Sequence, residues 1–367
     1  MELEPGEELE GGCQSIRKLD GVMIYPAKMH NGKRIRLLKT LLTNVCEREC
    51  FYCGCRASCD FDRMTFKPEE FARLFMNLQR AGVLDGLFIS SGVAGGGMRT
   101  QDRLIAVAEI LRFKLGFQGY IHLKVMPGAE RSQVERAMQL ADRVSINLEG
   151  PNERRLGFLT PSKQFSDELL QPLKWIDEIR NSQPAWKGWN HRWSSSTTQF
   201  VVGGADETDL ELMQTTEYLY RVLHLQRAYY SAFKPQPDTP LSGHPAASLE
   251  RQHRLYQSSF LIRDYGFSLE DLCFEQDGNL ALGRDPKLVW AEQNLGNKPL
   301  ELNSASREEL LRVPGIGPLG LQRILAARRV HQLTSLSQLS ALGIQSSRAA
   351  PFILLNGKRP ALQLSLC

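Results

Sequence analysis

Five of the eight cysteines in this 367-residue chain fall within one stretch of fourteen residues, at 46, 50, 53, 55 and 59, while Cys13, Cys273 and Cys367 are scattered. Thiols gathered in this way in a reducing compartment point to metal binding or catalysis before disulfides. The first three form Cys46-Glu-Arg-Glu-Cys50-Phe-Tyr-Cys53, a C-x3-C-x2-C spacing. Three thiolates on one short loop can hold three irons of a cubane cluster, and no regularly spaced fourth cysteine or histidine follows. Iron–sulfur clusters usually take four protein thiolates. Three therefore leave one iron with an open position, by the logic that separates open catalytic metal sites from closed structural ones. The competing reading is a zinc or closed cluster site with Cys55 or Cys59 as fourth ligand. Those two have no second pair with which to close a site of their own, and read as ordinary or redox-sensitive thiols.

Further polar residues stand where strands should end. Ile89-Ser90-Ser91-Gly92-Val93 places small residues after an apolar run, and small residues let the backbone approach a ligand closely. The Gly95-Gly96-Gly97 run beyond it is not a phosphate cradle, since no Lys-Ser/Thr follows. His122 and Lys124 are two apart, as are Ser145, Asn147 and Glu149, so each set shares one face of an extended segment. Buried parallel strands normally read as near-continuous apolar runs. Five polar residues facing one way imply a polar cavity, with a satisfied interior histidine as good a reading of His122 as a ligand contact.

The elements that must position these groups alternate regularly. Strands are predicted at 35–43, 86–91, 120–125, 144–149, 198–202 and 227–232, and helices at 68–78, 101–115, 132–140, 167–180 and 208–223. Six strands alternating with helices imply an α/β fold with a parallel sheet, doubly wound or curved towards a barrel. The cysteine loop then sits at the carboxyl end of the first strand, where such folds keep their sites. Residues 233–247, with four prolines, break the pattern as a linker or lid. A helix over 249–265 follows, then loops to about 300.

At its cysteines the sequence resembles the radical S-adenosylmethionine (SAM) superfamily, whose hallmark is C-x3-C-x2-C with an aromatic, here Tyr52, before the last cysteine. The resemblance implies a partial (β/α)6 TIM-like barrel over 35–235. It also implies a [4Fe-4S] cluster on Cys46, Cys50 and Cys53, with SAM chelated at the open iron and cleaved to a 5′-deoxyadenosyl radical by an electron from a donor such as flavodoxin or ferredoxin. It implies that Ser90, Ser91 and Gly92 meet the SAM amino group through backbone carbonyls. Lys124 would pair with the SAM carboxylate, Ser145 and Asn147 would bond its ribose or methionine part, and Glu149 would reach a hydroxyl or the substrate.

The tail differs in charge and motif. Net charge is +4, yet residues 301–367 carry +5 and the first 300 carry −1, an asymmetry that suits a polyanionic partner. Within it, Leu311-Arg312-Val313-Pro314-Gly315-Ile316-Gly317 between two helical stretches resembles a helix-hairpin-helix motif, with a degenerate second copy over 336–353. Such a hairpin offers backbone N–H groups and a helix N-terminus to phosphate, reading backbone and not base sequence. Gly315, Ile316 and Gly317, with Arg312 and Arg323, are the expected contacts; the alternative is a hairpin used for docking or structure. The expected layout is an N-terminal arm (1–34), a radical SAM core (35–235), a linker and helical extension (236–300) and a small all-α nucleic-acid-binding domain (301–367).

From cysteine loop to tail, the chain is similar to a family of radical SAM proteins classed as DNA modification or repair enzymes. The similarity is carried by Leu41-Leu-Thr-Asn-Val-Cys46, Ile89 to Val93, Tyr120 to Lys124, Tyr229 to Phe233 and Leu311 to Gly317. It departs at Gly54-Cys55-Arg56, where that family has an asparagine before the arginine. The implied partner is nucleic acid, DNA ahead of RNA. An RNA-modifying enzyme and a non-catalytic iron–sulfur nucleic-acid sensor are the alternatives. The acidic start (Met1 to Glu10) lacks the basic and apolar regions of a signal peptide. No apolar run approaches the ~18 residues that span a bilayer. The expectation is a cytoplasmic protein without membrane contact.

Overall fold

Alternation of buried and exposed positions along Arg34–Leu41 makes this segment a two-faced strand, and the sheet is built outward from it. The structure, a computed structural model, describes residues 17–19, 22–28 and 34–360. Strands β1 (Arg17–Leu19), β2 (Val22–Lys28), β3 (Arg34–Leu41), β4 (Gly86–Ser90), β5 (Tyr120–Lys124), β6 (Arg143–Ser145), β7 (Ser195–Val202) and β8 (Arg227–Ala232) form one sheet in chain order. The steps from β3 to β8 are all parallel, which makes a six-stranded partial barrel of the expected α/β class. Part of the segment expected as an N-terminal arm instead extends the sheet, β1 and β2 pairing antiparallel ahead of β3. The rest of that arm, with Cys13 and Cys367, lies outside the described residues.

The connecting helices are α1 (Pro68–Arg80), α2 (Gly97–Glu109), α3 (Arg131–Leu140), α4 (Glu153–Leu159), α5 (Gln171–Ser182) and α6 (Asp209–Arg221). Helix α2 continues as a π-turn over Ile110–Lys114, which carries the helical stretch predicted over 101–115 to its end. Helix α4, capped by Asn152 accepting from the Arg155 N–H, was not predicted.

The strand predicted over 144–149 stops at Ser145. Beyond it the Thr198 hydroxyl enters the ladder, donating to the Ile146 carbonyl and accepting from the Leu148 N–H, and Glu149 takes a left-handed conformation at φ 63°. A side chain thus substitutes for strand backbone, and the chain bulges as it reaches the barrel mouth.

By internal packing the chain divides into one unit of residues up to 207 with 218–248, and another of 208–217 with 249 onward. The second contains α7 (Leu249–Asp264), α8 (Pro286–Leu295), α9 (Arg307–Arg312), α10 (Pro318–Arg328), α11 (Leu336–Ala341) and α12 (Ser346–Ala349). A parallel bridge of β9 (Leu300–Glu301) with β10 (Ile353–Leu354) ties the two ends of its tail together. Its core is one apolar cluster running from Ala291 and Leu295 through Leu310, Ile316 and Ile324 to Leu339 and Leu355. The boundary expected at 300 therefore crosses a shared core, and helix α8 belongs with the tail.

Candidate metal and cofactor site

After β3 the chain enters a closed loop. The Asn44 side chain donates to the Asp62 carbonyl and accepts from the Met64 N–H, while the Thr43 hydroxyl donates to the Met64 carbonyl, so the loop's two ends are stapled together. Inside, the Arg63 guanidinium donates to the carbonyls of Asn44, Cys55, Arg56 and Cys59 and lies 3.9 Å from the Phe61 ring centroid. One cation thus replaces the regular structure that a loop of this length lacks.

The three predicted cluster cysteines lie on this scaffold. Cys50 is buried with Sγ 3.4 Å from the Thr160 hydroxyl, and Cys46 and Cys53 are partly buried. Burial pushes the Cys53 thiol up to about 12, so a metal must displace its proton. Among the described residues no three Cys, His, Asp or Glu side chains are gathered closely enough to share one ion. A cubane does not ask for that, since each thiolate binds a different iron. Cys55 donates its backbone N–H to the Cys53 sulfur, and Cys59 faces the Asp238 carbonyl.

The Ser90-Ser91-Gly92 turn meets the loop directly. Gly92 donates to the Thr43 carbonyl, and a Cβ there would stand 2.2 Å from the Val45 carbonyl oxygen and 3.2 Å from Cys46 Cβ. Only glycine fits so close an approach. The Ser90 carbonyl is occupied by the Leu42 N–H, which leaves Ser91 and Gly92 of the three expected carbonyl positions. The Ser91 hydroxyl is buried and makes no hydrogen bond. Glu47, which no motif singled out, accepts from the N–H groups of Gly95 and Gly96 and fixes the next loop to the cysteines.

The polar strand residues divide into two groups. His122 bonds the Ser145 hydroxyl at 2.8 Å and stacks on Phe88, with ring centroids 4.2 Å apart. Burial first, then the charges of Arg143, Lys124 and Lys39, hold this imidazole well below its usual range. His122 is a satisfied interior histidine, and the Ser145 hydroxyl expected to meet SAM is engaged by it. Lys124 donates to the Asn147 side-chain oxygen. Its ammonium is lowered to about 8 by burial, against the pull of Glu149 and with the push of Lys163.

Glu149 is buried and faces Lys163 at 3.4 Å. Burial opposes charge on Lys163, but Glu149 and Cys50 together raise it above its ordinary value. Burial, then the Glu149 charge, push the Tyr52 hydroxyl well up. The sequence reading missed Lys163: it lies 110 residues from Cys53 and in no motif.

In the second unit the stretch around Gly315 and Gly317 connects α9 to α10. Ser306 caps α9, Gly315 takes φ 83°, and Gly317 caps α10 without a side chain. Ile316 is fully buried and offers only backbone. Two expectations are corrected. Arg312 is committed to Asp271 through two bonds of 2.8 and 2.9 Å and lies 4.7 Å from the Phe267 and Trp290 rings. Arg323 donates to the Leu342 carbonyl, closing the end of α11. Charge count alone could not see these internal acceptors. The basic side chains beside this connection are Lys287, which donates to the Ile316 carbonyl at 2.6 Å and is lowered to about 7 by burial, and Arg348, which pairs with Asp285 at 3.1 Å. They line a cavity of about 290 Å³ with Gly315, Gly317, Tyr265 and Asp285.

Residues 40–219 match the radical SAM superfamily. That superfamily uses a [4Fe-4S] cluster and SAM. No curated protein matches the chain. Distantly similar solved structures include the FeFe-hydrogenase maturase HydG from Carboxydothermus hydrogenoformans (14% identity, TM-score 0.49, covering 62% of this chain and 51% of that one). Methylornithine synthase PylB (14%, 0.48, 62% and 61%) and a radical SAM methyltransferase from Sphaerobacter thermophilus (14%, 0.46, 66% and 72%) are further examples. The chain spans about half the length of HydG. The residues of this segment fit those cofactors on three counts: three thiols on one stapled loop, a glycine against the first of them, and an unbonded buried hydroxyl at Ser91. Among the described residues no helix is long and apolar enough to cross a membrane.

Proposed function

We propose that this chain is a radical SAM enzyme acting on nucleic acid, DNA ahead of RNA, in modification or repair. Cys46, Cys50 and Cys53 hold the cluster; the backbone at Ser91 and Gly92 and the Lys124 ammonium, oriented by Asn147, receive the amino and carboxylate groups of SAM. Reduced by an external donor of the flavodoxin or ferredoxin kind, the bound pair supplies the radical, and the protein supplies position and exclusion of water. Burial of Lys124 strengthens any pairing with a carboxylate, because there is little water to screen it.

The observation that carries the nucleic-acid reading is the uncapped hairpin. Gly317 has no side chain to satisfy the first turn of α10, Pro318 has no N–H, and the N–H groups of Leu319 and Gly320 are left to an outside acceptor. With the positive end of an 11-residue helix behind them, these groups suit a phosphate. Lys287 and Arg348 stand beside the hairpin but are held by the Ile316 carbonyl and Asp285, as Arg312 and Arg323 are held by their own acceptors, so the reading rests on the backbone N–H groups.

The test is binding of duplex and single-stranded oligonucleotides by the full-length protein across a salt series, where each neutralised phosphate contributes about −0.9 to the logarithmic slope for duplex DNA. Gly315→Val should abolish binding, since its φ of 83° excludes a β-branched residue and a Cβ would lie 2.5 Å from the Gln345 carbonyl oxygen. Gly317→Ala, at φ −105° and with its Cβ 3.2 Å from the Tyr265 hydroxyl, should need only a small shift of that side chain and be tolerated. A salt-insensitive interaction, or a Gly315→Val protein that is folded and binds normally, makes the hairpin a structural element. Cleavage of SAM to deoxyadenosine separates the enzyme from a cluster-bearing sensor.

A further inference from the structure

The turn at 159–163, which belongs to no motif, is bound to the cysteine loop at every step. The Phe51 N–H donates to the Leu159 carbonyl, Cys50 Sγ meets the Thr160 hydroxyl at 3.4 Å, Arg48 donates to the Ser162 carbonyl, and the Glu49 N–H reaches the Ser162 hydroxyl at 3.3 Å. Arg48 also bonds Glu168 at 2.5 Å, which fixes the turn from its far side. This packing delivers one charged side chain to the cluster thiols. The Lys163 ammonium, 9% exposed, lies against the Glu149 carboxylate, 6% exposed, at 3.4 Å, on the turn whose Thr160 hydroxyl meets the Cys50 sulfur. The charges of this pair are felt at Tyr52 and at Cys50, which couples it to the cysteine motif.

We propose that Lys163 is a positioning and redox-tuning residue for the cluster, its ammonium anchored by Glu149 on the turn that packs against Cys50, so that it favours the reduced state. Hydrogen bonds to the sulfurs and local net charge are what set cluster potentials. A buried cation beside a thiolate stabilises the form that carries one more electron. Glu149 has the opposite effect, since its carboxylate offsets most of that charge, and the pair leaves a small net bias. The proposal rests on Cys50 being a cluster ligand.

The test uses full-length protein reconstituted anaerobically without SAM, with iron and sulfide assayed first and the midpoint then measured by EPR-monitored titration. Lys163→Gln should keep the cluster and lower the midpoint enough to change the reduced-to-oxidised ratio at fixed potential by tenfold or more, which is 59 mV for one electron. Lys163→Arg should restore it, and Glu149→Gln should raise it. An unmoved midpoint in Lys163→Gln, or shifts of one sign in both Lys163→Gln and Glu149→Gln, overturns the proposal. Should Lys163→Gln fail to take iron, Glu149→Gln decides alone, and an unchanged or lowered midpoint there refutes it. Iron in the wild type and none in Cys50→Ala verifies the underlying ligand reading separately.

Discussion

Gly92→Ala adds one methyl group between two loops and should weaken the cluster site without touching a cysteine. Gly92 is not in a left-handed conformation, so the substitution brings no backbone strain of its own. The cost is steric: the new carbon would stand 2.2 Å from the Val45 carbonyl oxygen, well inside the 3.0 Å that real Cβ contacts respect. Either the Val45–Cys46 backbone or the β4 turn must retreat by roughly 1 Å, against the Thr43 staple and the 2.7 Å bond from the Gly92 N–H. Overpacking of this kind costs about 1–3 kcal/mol. Because the retreat moves Cys46, that cost falls on a site whose three thiols must hold one fixed geometry. Converted, it is roughly fivefold to over a hundredfold in cluster affinity. The assay is iron and sulfide per chain after anaerobic reconstitution, followed by the rate of iron loss to a chelator. Gly96→Ala is the matched control. Its φ of 88° with ψ 162° carries strain, yet a Cβ there meets nothing within 4 Å, so it should destabilise by about 1–3 kcal/mol while keeping its iron. Equal iron retention in Gly92→Ala and wild type, with both folded, would refute the packing argument.

Lys124→Ala should keep its cluster and lose SAM affinity by about thirtyfold or more, since removing one partner of a buried charge pair costs about 2–5 kcal/mol; equilibrium binding of SAM to the reconstituted protein checks this, and unchanged affinity removes Lys124 from the site. The Asp271–Arg312 pair should make the tail's stability depend on acid. Burial pushes the Asp271 carboxyl up, but the Arg312 guanidinium and the Ser268 bonds outweigh it and hold the group at about 2, below its ordinary 3.8. A depressed folded-state pKa gives stability that is complete above about pH 4 and is lost as pH falls towards about 2. Thermal melts through that window should fall less steeply for Asp271→Asn than for wild type.

What the sequence made legible was local. Cys46, Cys50 and Cys53 share one loop, and a loop's place after an apolar strand follows from strand periodicity alone. Ser91 and Gly92 follow from the same reasoning one strand later. Lys163 was not legible, because its contact with Glu149 depends on where α4 ends, and α4 itself is short and carries only an Asn152 cap as a signal. Glu149 was placed on a strand face by period-two counting, which cannot anticipate a Thr198 hydroxyl taking over the ladder. Helix α8 did have a readable start, Asp285-Pro286, with the aspartate accepting from the N–H groups of Lys287 and Leu288. Reading that cap would have moved the expected domain boundary upstream.

The same limit explains Cys55 and Cys59, which motif counting left as candidate fourth ligands. Their backbone carbonyls are acceptors for Arg63, and the Cys55 N–H is a donor to the Cys53 sulfur. What fixes Cys55 is therefore main chain, which alanine would supply equally well, and Cys59 adds one weak thiol contact to the Asp238 carbonyl at 3.6 Å, while the thiols of Cys46, Cys50 and Cys53 are the groups the loop presents. A loop whose internal cation bonds carbonyls instead of thiols keeps its shape before any iron arrives. The cluster then meets a nearly formed cradle, and much of the ordering entropy of a metal-binding loop is already spent in the fold. Arg63 stands ten residues past the last motif cysteine, so this division between scaffold and ligand becomes visible only once the loop is closed on itself.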